Sequence, residues 1–356
     1  MMHQKHILRL CGVASKPFLQ PQPGYIQQHQ QLLSTTSILP QVKPNHQRTY
    51  LSTSGNGPLP PFNPSNRLTG RTCMVTGGTS GIGFAIAQRF LQEGASRVIL
   101  VGRSHERLLN AASRLETSSL PKAISATETP ETSSTQPPEK HQLIQSSERI
   151  SLLVGDISEA GSWTRELEKA MQTTNPDILI NAAGLSISSI LPKAEPSDIS
   201  RILSTNLEGA ILTSRAFIRA AIRNRRKSRT ASSEQLAPSS KCIINISSLL
   251  AHKSGTGAVP YAASKAGIIG LTRSVTVETA ASMRDMAIRS NAIVPGYIET
   301  PMISDFTEGE TARLKESIPL RRFGTPDEVA DAAVFLAENE YANNCVLNLD
   351  GGLSAI

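Results

Sequence analysis

The chain has 356 residues, 39% of them hydrophobic and 18% charged, enough to bury the core of one large α/β domain or two small ones. Its four cysteines (Cys11, Cys73, Cys242, Cys345) stand far apart, with no CxxC pair and no histidine cluster nearby. That argues against a disulfide framework or a metal site, and for a reducing compartment.

The formal charge of +7 is carried mainly by the N-terminal segment. Residues 1–66 hold Lys5, Arg9, Lys16, Lys43 and Arg48 and no acid; the first acidic residue is Glu93. The nearly neutral body argues against nucleic-acid binding, and no stretch nears the ~20 apolar residues of a membrane span. The leader is rich in Gln, Pro, Ser and Thr, a positive, hydroxyl-rich, acid-poor composition that predicts a transit peptide. The run Arg48-Thr49-Tyr50-Leu51-Ser52 resembles a mitochondrial processing site, so the mitochondrial matrix is the expected destination. The alternatives are a tail with no address and a plastid signal.

From residue 67 onward the chain alternates strand and helix. Strands are predicted at Thr72–Thr76, Val98–Val101, Ile150–Val154, Ile178–Ile180, Cys242–Ile246, Ala292–Val294 and Cys345–Leu349. Helical periodicity marks Ile82–Glu93, Trp163–Met171, Ile199–Arg223, Ser264–Ala281 and Asp327–Ala337. Two stretches read as inserted loops: 117–147, dominated by Ser, Thr, Pro and Glu, and 223–240, which opens on a basic cluster. A regular βαβ order requires a parallel sheet with helices on both faces, so residues 67–356 are expected to form a single α/β domain, a doubly wound parallel sheet of the Rossmann type.

The first strand runs directly into Thr76-Gly77-Gly78-Thr79-Ser80-Gly81-Ile82-Gly83 and a helix. Glycines at that turn let the backbone approach a pyrophosphate, whose charge then sits on the helix N-terminus. The second strand ends Val101-Gly102-Arg103-Ser104, with no acid to hold a ribose hydroxyl before Glu106. Arg103 is placed to neutralise a 2′-phosphate, so the expected cofactor is NADPH/NADP+. The bland alternative makes Arg103 a solvated residue and Ser104 a helix cap. The third strand ends Gly155-Asp156-Ile157 and the fourth Asn181-Ala182-Ala183-Gly184. Asp156 either accepts from an adenine amino group or caps a helix. The small residues Ala182 and Gly184 leave room for adenosine, and Asn181 is placed to pin the turn.

Tyr261-Ala262-Ala263-Ser264-Lys265 puts a phenol and an amine on one helix face. A phenol with an ordinary pKa of about 10 is a slow acid at neutral pH, and an adjacent ammonium would pull that value down. Upstream, the strand ending at Ser247-Ser248 offers a hydroxyl for a carbonyl oxygen.

Together these motifs resemble the short-chain dehydrogenase/reductase family across residues 67–356: TGGTSGIG at 76–83, NAAG at 181–184, Asn206 in NLEG, Ser248, YAASK at 261–265 and PGYIET at 295–300. The resemblance implies Tyr261 as proton donor, Ser248 as carbonyl orienter, Lys265 on the nicotinamide ribose and Asn206 beside a proton-relay water. It also implies cofactor contacts from Gly77, Thr79, Ser80, Gly81, Ile82, Gly83, Ile157, Ile298 and Thr300.

Within the family the chain is most similar to 3-oxoacyl-[acyl-carrier-protein] reductases, in Asn291–Met302 and Ile318–Gly324. The basic residues Arg223, Arg225, Arg226, Lys227 and Arg229, with Arg284 and Arg289, suit an acidic carrier protein; a solvated basic loop is the alternative. The final strand reads NNCVLNLDGG, a departure where the family assembles subunits, and a homo- or hetero-tetramer is expected. The competing functions are a general carbonyl, steroid or quinone reductase and a non-catalytic NADP-binding subunit of a hetero-oligomer.

Overall fold

The computed structural model describes residues 65–119, 141–230, 240–253, 255–283, 286–304 and 306–356. Among the described residues, eight strands form one sheet: β1 (Thr72–Thr76), β2 (Arg97–Gly102), β3 (Leu143–Gln145), β4 (Ile150–Val154), β5 (Ile178–Asn181), β6 (Lys241–Ile246), β7 (Ile288–Pro295) and β8 (Val346–Leu349). Their spatial order is β3-β4-β2-β1-β5-β6-β7-β8. Every pairing is parallel except β3 with β4. The helices are α1 (Gly81–Gln92), α2 (His105–Ser119), α3 (Thr164–Thr174), α4 (Pro196–Leu203), α5 (Gly209–Thr230), α6 (Val259–Ser282), α7 (Glu308–Ser317) and α8 (Pro326–Glu338).

Alternation along the strands builds a core on each face of the sheet. In β1, Cys73 and Val75 join Phe84 and Phe90 of α1, Leu108 and Leu115 of α2 and Val329 and Val334 of α8. Met74, between them, turns the other way, into a cluster with Trp163, Leu167 and Met171 beside α3 and Phe217 of α5. The parallel strands run in the order β4-β2-β1-β5-β6-β7-β8, so the chain reverses its winding between β1 and β5, and a crevice opens beyond their carboxyl ends. The glycine turn after β1 and the NAAG turn after β5 therefore face one another.

All seven predicted strands are present, and four departures stand out. The stretch 117–147 is not all loop: α2 continues to Ser119 and Leu143–Gln145 returns as β3, while 120–140 lie outside the described residues. His141, just before β3, stacks on Trp163 with ring centroids 4.8 Å apart. The predicted helix Ile199–Arg223 divides into α4, a π-helical turn at Ser204–Glu208 and α5. Basic residues from Arg223 on belong to α5, which ends at Thr230, so the loop starts later than expected; 231–239 lie outside the described residues.

Arg289, expected on a basic rim, is only 3% exposed. Its guanidinium donates to the carbonyls of Leu336 (2.7 Å), Ala337 (2.8 Å) and Ala342 (3.0 Å), holding the C-terminal end of α8, where cations are favoured. No described helix is long and apolar enough to cross a membrane. The leader, residues 1–64 of it, lies outside the described residues.

Candidate active site

The glycine turn is shaped by contacts no larger residue could make. Gly77 has φ +70°, and a Cβ there would stand 2.8 Å from the Ala183 backbone. A Cβ on Gly83 would come within 2.4 Å of the Gly77 carbonyl oxygen, so α1 packs directly on the turn it follows. Thr76 ties the two turns together: its hydroxyl is 3.2 Å from both the Ala182 and Ala183 amides, each of which donates to it. Sequence reasoning passed over Thr76, although it opens the glycine motif. Gly81, at φ +55°, lies against Thr300, so the nicotinamide-end residue reaches the same loop as Thr79, Ser80 and Ile82. Ile298 is buried and bridges to Gly324.

The adenosine side is less uniform. Arg103 is exposed and shares an open cleft with Asp156, Leu185 and Ser204. Asp156 caps the short helix after β4, its Oδ1 accepting from the Ser158 amide (2.9 Å) and hydroxyl (2.7 Å). The helix-cap alternative for Asp156 is thus present in the structure. Ile157 is buried, with its side chain and carbonyl packed against Gly209. Asn181 is spent internally: its Nδ2 donates to Ser214 Oγ (3.1 Å) and Asn245 Oδ1 (2.8 Å), and its Oδ1 accepts from Thr213 (2.7 Å). It fixes the NAAG turn from below and offers the crevice no side-chain group. Arg107, absent from the sequence reading, reaches from α2 to the glycine turn, with Nη2 3.5 Å from Ser80 Oγ.

Four predicted residues converge beyond Gly184. Pro260 sits in the first turn of α6, where a missing amide costs nothing, and Tyr261 and Lys265 follow on one face. Ser248 caps the short helix after β6, accepting from the Leu250 amide at 3.2 Å, and its hydroxyl is near enough to the Tyr261 phenol to favour its ionised form. Lys265 is 5% exposed and donates to the Ile246 carbonyl at 2.9 Å. Its Nζ lies 5.7 Å from the Tyr261 ring centroid. A Cβ on Gly184 would stand 3.3 Å from Lys265 Nζ and 3.4 Å from Asn206 Oδ1, so this glycine separates the two groups.

The π turn aims Asn206 inward, 1% exposed. Its Nδ2 also donates to Ser264 Oγ at 3.1 Å, and Ser264 donates to the Tyr261 carbonyl at 2.7 Å, so Asn206 and the start of α6 are joined. Ser264 carries no sequence signal beyond its place inside YAASK.

The electrostatics differ from the sequence expectation in one respect. Burial raises the Tyr261 phenol above its ordinary value, and the nearby Ser248 hydroxyl opposes this without overcoming it. Lys265 does not pull the phenol down, because its ammonium is directed at the Ile246 carbonyl. Burial lowers Lys265 itself to about 8. Among the described residues no group of three or more His, Cys, Asp or Glu side chains is arranged to hold a metal ion. The crevice fits an extended dinucleotide: close-approach glycines at both turns, a helix N-terminus behind one, and a buried amine and phenol at the far end.

Family models agree with this geometry. Residues 71–136 match the short chain dehydrogenase model and residues 131–354 the Enoyl-(Acyl carrier protein) reductase model. A 3-oxoacyl-[acyl-carrier-protein] reductase of Bos taurus is 32% identical over 283 residues, covering 80% of this chain and 98% of the relative. A protein of Danio rerio named carbonyl reductase family member 4 is 32% identical over 291 residues, covering 80% and 99%. Among solved structures, a Beutenbergia cavernae protein described as an NAD(P)-dependent gluconate 5-dehydrogenase, with NADP bound at low occupancy, superposes with a TM-score of 0.65. It is 26% identical and covers 81% of this chain and 98% of its own.

Proposed function

The chain is an oxidoreductase of the short-chain dehydrogenase/reductase family, and on that premise we propose that it is an NADPH-dependent 3-oxoacyl-[acyl-carrier-protein] reductase. The observation that carries this reading is the meeting of Ser248, Tyr261, Lys265 and Asn206 at the end of a glycine-lined crevice. In this reading residues 1–66 are a leader and 67–356 the reductase domain.

Bound NADPH supplies the hydride. The glycine turn with Thr79 and Ser80 holds its phosphates, Arg103 its 2′-phosphate, the small NAAG turn and the Asp156–Ile157 backbone its adenosine, and Ile298 and Thr300 its nicotinamide end. Ser248 donates to the substrate carbonyl oxygen. Tyr261 gives its proton from Oη to that oxygen as it becomes the product hydroxyl; the raised phenol pKa keeps that proton in place at neutral pH. Lys265 holds the ribose and, with Asn206, the path that returns a proton to Tyr261.

Support for the acyl-carrier substrate comes from the bovine relative's name and from the basic end of α5. Arg225 and Arg226 belong to that end; Arg223 is committed to Glu168, Arg284 lies outside the described residues, and so do the side chains of Lys227 and Arg229. An acidic carrier protein, a tetrameric assembly and delivery to the mitochondrial matrix by the leader complete the proposal. A second reading, a general carbonyl reductase, is favoured by the name of the fish relative.

The test is NADPH oxidation by the full chain with acetoacetyl-carrier protein against simple ketones and quinones. The proposal expects strong preference for the carrier-bound substrate, loss of that preference on charge reversal at Arg225 and Arg226, and loss of turnover in Tyr261→Phe with NADPH binding kept. Equal or better rates on free carbonyls select the second reading. Tight NADPH binding without turnover of any carbonyl points to a non-catalytic subunit. A reporter carrying residues 1–66 is expected in mitochondria, and a diffuse cytosolic signal overturns that part.

A further inference from the structure

Resting on the NADPH reading above, we infer that Arg107 is the second cation of the 2′-phosphate site and, with Arg103, sets the preference for the phosphorylated cofactor. Arg107 is the third residue of α2, and its amide donates to Ser104 Oγ at 3.3 Å, fixing the first turn of the helix to the exit of β2. From there its guanidinium lies over the glycine turn, Nη2 3.5 Å from Ser80 Oγ. The neighbouring Thr79 methyl is 3.4 Å from where a Cβ on Gly102 would stand, so the turn and the β2 exit are in contact. Arg103 follows Gly102 directly. The two arginines thus leave the same short segment and flank the point where β2 gives way to α2, beside the loop that would hold the pyrophosphate.

Charge supports the assignment. Neither arginine makes an ion pair among the described residues, whereas Arg67, Arg89 and Arg322 do. Both are exposed, so neither is needed to hold the fold. Glu106, on the same turn, forms no ion pair with either, and Asp156 across the cleft is bonded to Ser158. Two guanidiniums without a carboxylate partner, beside a loop that carries no cation of its own, form a site for a dianion, which each can meet with two N–H donors. The hydroxyl of Ser80, held by Arg107, orders that guanidinium ahead of binding.

The experiment measures dissociation constants of the full-chain protein for NADPH and NADH by nicotinamide fluorescence, with 2′,5′-ADP and 5′-ADP as fragments that report binding without turnover. Arg107→Ala is expected to weaken NADPH and 2′,5′-ADP about ten- to a hundredfold, with NADH and 5′-ADP unchanged within about twofold. Restoring a guanidinium from the loop itself, Ser80→Arg in the Arg107→Ala background, is expected to recover most of the preference. Equal losses for both cofactors, or no loss for either, overturn the role of Arg107 while leaving NADPH dependence intact. A wild-type protein that binds NADH as tightly as NADPH overturns the cofactor reading itself.

Discussion

Asn206 and Leu185 exchange two hydrogen bonds: the Leu185 amide donates to Oδ1 at 2.8 Å, and Nδ2 donates back to the Leu185 carbonyl at 2.9 Å. The side chain thus pairs with the backbone as a neighbouring strand would. It clamps the π turn between α4 and α5 onto the residue that follows NAAG. Asn206→Ala would leave a buried amide and carbonyl without partners, and is expected to lower the unfolding free energy by about 2–4 kcal/mol in a denaturant titration. Asn206→Asp keeps the amide's partner but sets a carboxylate oxygen against the carbonyl, so it should not rescue stability. An unchanged transition midpoint in both variants would remove the clamp from the account.

Gly184 is expected to tolerate alanine structurally but not functionally. The added methyl meets Lys265 Nζ and Asn206 Oδ1 at 3.3 and 3.4 Å, distances that force side chains rather than backbone to move. Displacing the amine by a fraction of an ångström should cut turnover by about ten- to a hundredfold, while the melting temperature changes little. Full activity in Gly184→Ala would show that the two groups need no such spacing.

The Lys265 ammonium gives stability a distinct pH dependence. Its folded value of about 8 lies below the ordinary 10.5, so the unfolded chain holds the proton more tightly. Folding is therefore penalised fully below pH 8, and the penalty fades as pH climbs from about 8 to 10.5. Relative to Lys265→Met, the wild-type apoprotein should gain roughly 3 kcal/mol between pH 7 and 10.5. Parallel stability curves for the two proteins across that range would contradict the lowered value.

Three arginines of α5 share one carboxylate. Arg215, Arg219 and Arg223 approach Glu168 of α3 at 3.3, 3.0 and 3.1 Å, and the glutamate is almost fully buried. Glu168→Ala leaves three guanidiniums on successive turns facing one another across a shallow pocket. It should destabilise the protein by about 1–3 kcal/mol at low salt, with part of the loss recovered as salt screens the repulsion. A salt-independent loss would assign the effect to packing instead.

The sequence made some of this legible and hid the rest for identifiable reasons. Strands such as Ile150–Val154 and Ile178–Asn181 announce themselves because burial on both faces demands runs rich in β-branched and aliphatic residues. That Tyr261 and Lys265 share one helix face, with Ser248 at a strand end, was readable because the helical repeat and the strand pattern place them. Helix α7 was missed because it buries no residue and so has no apolar period, although its capping box, Thr307 with Glu310, was there to be read. The π turn at Ser204–Glu208 was hidden because it continues directly from one helix into the next, with no breaker residue at its entrance. The Tyr261 value was misjudged because a one-dimensional spacing shows that a lysine is near, not that its ammonium is bonded to Ile246. Arg107 and Thr76 belong to the site through contacts between segments, which no local motif encodes.

β3 is only three residues long, and it lies antiparallel along β4 at one border of the sheet. A longer bare strand at that border would offer a neighbouring molecule a continuous row of unpaired amides and carbonyls, the template on which chains aggregate. With β3 in place, what faces outward is too short to propagate such pairing. The segment that interrupts the α/β repeat thus leaves a three-residue strand, rather than the five residues of β4, at that border.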